Sequence, residues 1–220
     1  MVFFDNLVNI VTDNLPMDMN SEYNSLFFPW DCLGEYIDDS DKFISRKQNE
    51  LDDKMSSAQG FTGLSAEEKL MRLIFSTASE EVTRKYEPEI QKIYTDFPQI
   101  IFRSLFISTY CLLESSIGFV CYKISHEKGD ILNEEIRKRN LVEKVSLITR
   151  FNLINVNFTT KNWSSIQEYM KIRNDIVHNS YLVEDDKFEG SKFCKKSYLV
   201  MREFFDYIYI SYKKAYPRHI

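Results

Sequence analysis

A chain of 220 residues with 44% hydrophobic side chains can bury one sizeable core without disulfide or metal staples. Asp and Glu (33) outnumber Lys and Arg (28), so the net charge of -5 excludes a general pull on nucleic acid and leaves any such contact to local patches. Cys32, Cys111, Cys121 and Cys194 show no CxxC pair or other metal spacing and follow no leader pattern, which reads as reduced core thiols in a cytoplasmic protein.

Phe and Tyr are plentiful (17 and 13) while Gly and Pro are scarce (6 and 5), so turns are few and helices long. The opening "FFDNLVNIVTDNLP" spaces Phe4, Leu7, Val8 and Val11 at the helical period and stops at Pro16. From Trp30 to about Ala58 a second helix is expected on Leu33, Tyr36, Ile37, Ile44 and Leu51. "SSAQGFTGLS" then breaks the pattern with two glycines, and a boundary is placed there: residues 1–60 form an N-terminal helical extension and 61–220 the main domain.

Ser65 and Glu68 have capping-box spacing, which starts a helix expected to reach about Tyr86, with Pro88 as its stop or kink. Pro98 in "DFPQIIFRSLF" opens the most apolar helix, running to about His126. Arg103 and Glu114 interrupt its apolar run, so a buried core helix is expected and no membrane span. A further helix is expected from about Asn133 to Phe151. "SSIQEYMKI" launches another through a Ser165–Glu168 capping box, and the aromatic "KSYLVMREFFDYIYISYKKAY" forms the last. The class is all-α, an irregular antiparallel helical bundle.

"YMKIRNDIVHNSY" places Arg173, Asn174, Asp175 and His178 at the end of an amphipathic helix. Its simplest role is a polar helix end with a cation near the last carbonyls. Its chemistry allows more. A histidine titrating near neutrality can take a proton from a ribose 2′-hydroxyl or give one to a leaving 5′-oxygen, and an arginine can hold the phosphate. Neither role needs a metal. Residues four apart on a helix lie about 40° apart and residues five apart about 140°, so Asn174 and His178 share a face while Arg173 sits well round from His178. Either the helix loosens before His178, or two copies meet across a twofold axis and line one cleft.

In these residues the sequence resembles the HEPN family. "RNDIVH" fits its Arg-x4-His motif with a polar residue after the arginine, and Glu114 in "YCLLESSIGF" fits the acidic position of its earlier core helix. The likeness covers roughly residues 64–215. It implies a HEPN-like helical bundle that dimerises with its motifs facing, and a metal-independent endoribonuclease acting as a toxin or antiviral effector. Its substrate would be RNA, with no cofactor and with an antitoxin or regulatory protein as a further partner. By the same resemblance Arg173 and His178 are catalytic, Asn174 orients His178 or the phosphate, and Glu114 positions Arg173. Tyr181 lies near the position where one HEPN toxin subgroup is nucleotidylated, but two residues intervene where that subgroup has three. The alternative is a non-catalytic HEPN-like module that binds a partner protein or nucleotide.

The remaining features read structurally. His126 ends a helix, His219 adjoins the terminus, and three scattered histidines make no zinc site. The basic stretches "IRKRN" (136–140) and "YKKAYPRHI" (212–220) read as solvated helix faces or local RNA contacts.

Overall fold

The computed structural model describes residues 26–58, 65, 78–127, 139–150, 161–178 and 190–216, and the elements within them are all helical. In chain order these are α1 (Phe28–Ala58), α2 (Ala78–Ile90), a π-helical segment (Gln91–Asp96), α3 (Phe97–Glu127), α4 (Leu141–Arg150), α5 (Lys161–His178) and α6 (Ser191–Ala215). The all-α bundle expected from the sequence is the fold. The first expected helix, the Ser65–Glu68 capping box, Tyr181 and His219 lie outside the described residues, wholly or in part.

The apolar helix α3 is the axis of the bundle. Phe106, Leu113, Ile117, Val120, Cys121 and Ile124 on it have no exposed surface, and α1, α4, α5 and α6 pack around it. By length and composition the helical stretch Val82–Ser125 is apolar enough to cross a membrane. Within the bundle the other helices cover Phe106, Leu113, Ile117 and Ile124 on it, while Ile100 and Tyr122 are exposed. Ser104, Ser108 and Thr109 on it each donate to the carbonyl four residues back, at 2.8 Å.

Directions follow from the side-chain pairs. Trp30 at the start of α1 donates from Nε1 to Ser116 Oγ (3.1 Å), while Tyr94 before α3 donates to Asp52 (2.7 Å), so α1 runs antiparallel to α3. Arg202 bonds Asp31 at 3.2 Å and Lys195 bonds Asp41 at 2.7 Å, so α6 is antiparallel to α1 as well. Asn162 meets Glu203 and Tyr169 meets Phe193, which sets α5 antiparallel to α6.

The expected N-terminal extension is represented by α1, and α1 shares the common core. Trp30, Ile37, Ile44 and Leu51 recur at intervals of seven and are all buried. Trp30 stacks on Phe205 with centroids 5.8 Å apart. A side chain at Gly34 would come within 2.8 Å of the Tyr198 hydroxyl, and the glycine lets that hydroxyl reach the Trp30 carbonyl.

Four expectations are corrected by local chemistry. Pro88 does not end its helix: it lies inside α2, and the chain continues through the π-helical segment into α3. There the Phe97 N–H donates to the Lys92 carbonyl five residues back, a wider turn that accommodates the missing donor and bulky ring of Pro98. The helix expected from Asn133 begins at Leu141, because Asn140 caps it. Its Oδ1 accepts from the Glu143 N–H and its own N–H donates to Glu143, both at 3.0 Å. Helix α5 begins at Lys161, ahead of Ser165, since Trp163 stacks on Phe204 at 5.4 Å and draws the first turn into the bundle. Cys121 and Cys194 are buried thiols as expected, but Cys111 is exposed and Cys32 half-buried.

Candidate active site

Helix α5 presents Ile166, Tyr169, Ile172 and Ile176 to the core, a stripe at the spacing an α-helix requires. Taking Tyr169 as reference, a regular helix turns Arg173 by about 40° and His178 by about 180°. Arg173 therefore flanks the buried stripe, half-buried, while His178 stands on the opposite, exposed side with Asn174 and Asp175 also exposed. The helix stays α-helical to His178, which removes local loosening as a way to bring the two together. Within one chain Arg173 and His178 do not converge.

Arg173 lies in a defined setting. Its Cζ sits 5.8 Å from the centroid of the Tyr110 ring on α3, within the range of about 6 Å where the ring quadrupole attracts a cation. Nη1 donates to Asn174 Oδ1 at 3.0 Å. Nε is shielded from solvent and has no hydrogen-bond partner among the described residues. Asn174 thus contacts the arginine; no contact between it and His178 is seen among the described residues.

Glu114, expected to position Arg173, lies on the same part of α3 but forms no ion pair with it among the described residues. Its charge is felt instead by its helix neighbours. Burial, then the Glu114 carboxylate, pushes the Tyr110 hydroxyl up to about 12, with Arg173 pulling the other way. Cys111 shares these surroundings: desolvation of its sulfur raises the thiol, opposed by Arg173 and reinforced by Glu114, although the residue as a whole is exposed. Tyr110, Cys111, Glu114 and Arg173 thus form one electrostatic group between α3 and α5.

Tyr110 and Cys111 were not picked out from the sequence. A signal was present, since Tyr110 lies four residues before Glu114 and shares its helix face. Among the described residues no group of three His, Cys, Asp or Glu is placed to hold a metal ion. The chain matches no protein-family model, no curated protein and no solved structure.

Proposed function

We propose that the chain is a metal-independent endoribonuclease of the HEPN type, acting in the cytoplasm as a homodimer and serving as a toxin or antiviral effector under the control of a partner protein. The observation that carries this reading is the Arg173 guanidinium. It is half-buried and has no carboxylate within ion-pair distance among the described residues, so its charge is available to a phosphate. The sequence motif supplies a histidine five residues on, on the exposed side of the helix.

The placement of His178 opposite the core face favours a cleft completed by a second chain. In such a cleft the ribose 2′-oxygen attacks the adjacent phosphorus, the bond to the 5′-oxygen breaks, and the fragments end in a 2′,3′-cyclic phosphate and a 5′-hydroxyl. Two His178 rings provide one acceptor for the 2′-hydroxyl proton and one donor to the leaving oxygen. Arg173 stabilises the charge that builds on the phosphorane oxygens.

The test is cleavage of RNA by single and mixed variants. Arg173→Ala and His178→Ala homodimers are each expected to lose activity, and mixed dimers of the two to stay inactive, because the shared cleft then holds only one of the two histidines the reaction uses. Full activity in both single variants would overturn the proposal. If cleavage is absent but an unmodified dimer binds a protein or nucleotide, the chain is the non-catalytic module instead.

A further inference from the structure

Two ring contacts one helical turn apart join α3 to α5. In the first, Phe106 meets Tyr169 edge-on with centroids 6.0 Å apart. Four residues along each helix, Tyr110 meets the Arg173 guanidinium. Tyr110 is 4% exposed and Phe106 fully buried, so the ring beneath Arg173 cannot swing away without opening the core.

We propose that Tyr110 is the positioning residue for Arg173, its buried ring serving as the platform on which the guanidinium rests where a carboxylate partner would otherwise hold it. This inference rests on the ribonuclease reading. The distinction between ring and carboxylate matters chemically. A paired carboxylate would neutralise the guanidinium and compete with an incoming phosphate for its N–H groups, whereas a ring face orients the cation and leaves those donors open. Its hydrogen bonds go to neutral groups, the Asn174 amide at 3.0 Å and the Cys111 sulfur. Glu114 remains outside ion-pair distance, so it tunes the field around Tyr110 and Cys111 without capturing the arginine. The Tyr110 hydroxyl, pushed up to about 12 mainly by burial, stays protonated and so puts no negative charge beside the guanidinium.

The experiment compares Tyr110→Phe, Tyr110→Leu and Phe106→Leu by steady-state cleavage of RNA and by the nitrogen-15 resonance of the Arg173 Nε–H group, assigned with Arg173→Lys. Tyr110→Phe keeps the ring and is expected to keep kcat within about twofold and the Arg173 resonance in place. Tyr110→Leu is expected to lower kcat about tenfold with KM little changed, and to move the Arg173 resonance to the position of a freely solvated side chain. Phe106→Leu perturbs the neighbouring ring contact of the same interface, so it is expected to lower the melting temperature while leaving kcat and the resonance unchanged. Equal loss of kcat in Tyr110→Phe and Tyr110→Leu, or in Phe106→Leu and Tyr110→Leu, would overturn the assignment. If the wild type itself cleaves nothing, the ribonuclease reading fails, and the resonance still decides the platform: unmoved in Tyr110→Leu, it contradicts the role; moved there but not in Tyr110→Phe, it supports it.

Discussion

The guanidinium of Arg173 rests over the ring of Tyr110, with 5.8 Å between Cζ and the ring centroid, and not against the carboxylate of Glu114. A cation oriented by a ring keeps its donors and its charge. On this basis Arg173→Lys is expected to be nearly as damaging as Arg173→Ala, because a lysine offers a point charge without the planar fork. Loss of a phosphate-stabilising donor is worth about a hundredfold in kcat, to be read from initial cleavage rates. The melting temperature should move little, since Arg173 is only half-buried and forms no ion pair among the described residues.

Helix α1 is part of the core and not a removable arm. Trp30→Ala would empty a fully buried site, remove the hydrogen bond to Ser116 and expose Phe205, at a cost of about 3–5 kcal/mol. Deleting residues 1–60 removes Trp30, Ile37, Ile44 and Leu51 together, and is expected to give an unfolded or aggregated chain. Circular dichroism melting of both proteins checks this. A truncated chain with a cooperative transition near that of the wild type would show that α1 is dispensable.

Lys195 on α6 bridges Asp38 and Asp41 on α1 at 3.1 and 2.7 Å. Burial of Asp41 works against its ionised form, but the hydrogen bonds from Lys195 and Ser191 outweigh it and leave the carboxyl below its ordinary range. A carboxyl depressed in the folded state adds stability above its unfolded pKa and loses it as pH falls through the folded one. Lys195 is raised, chiefly by its hydrogen bonds to Asp41 and Asp38, so its contribution is complete below the unfolded lysine pKa and disappears as pH rises through the folded one. Lys195→Met should therefore destabilise by about 0.5–1 kcal/mol near neutrality, the modest value reflecting solvent screening of a partly exposed cluster. The difference from wild type should shrink in strong acid. Melting curves at pH 3 and pH 7 measure it, and a constant difference would contradict the assignment.

The cysteines report on packing. Cys121 and Cys194 have no exposed surface, and burial pushes both thiols up to about 12, so neither should react with a maleimide at pH 7.5 until the chain unfolds. Cys111 is exposed and Cys32 half-buried, so both should label while the chain is still folded, ahead of the two buried thiols. Mass spectrometry of labelled peptides over time follows the order directly.

Much of this organisation is legible in the sequence because helical periodicity is a strong signal. Trp30, Ile37, Ile44 and Leu51 mark α1, and the long apolar stretch marks α3, each within a few residues of its observed bounds. The starts of helices were harder to place. At α4 the cap is Asn140, the last residue of the basic run and seven residues past the expected start at Asn133, with Glu143; at α5 a Trp163–Phe204 stack between distant parts of the chain overrides the local Ser165 signal. Pro88 misleads for a similar reason, since a π-helical turn downstream lets the chain absorb two prolines in one continuous helix. For the site, the motif and the position of Arg173 beside the core stripe follow from spacing. The choice of Tyr110 over Glu114 as its neighbour does not, because both lie on one face of α3 and only the packing of α5 selects between them.

The most direct measurement incubates the purified protein with total cellular RNA in EDTA, beside His178→Ala, and analyses the ends of the fragments. The expected result is cleavage that leaves 2′,3′-cyclic phosphate and 5′-hydroxyl ends and disappears in the variant. Intact RNA, or cleavage undiminished by His178→Ala, would contradict a metal-independent ribonuclease built on this motif.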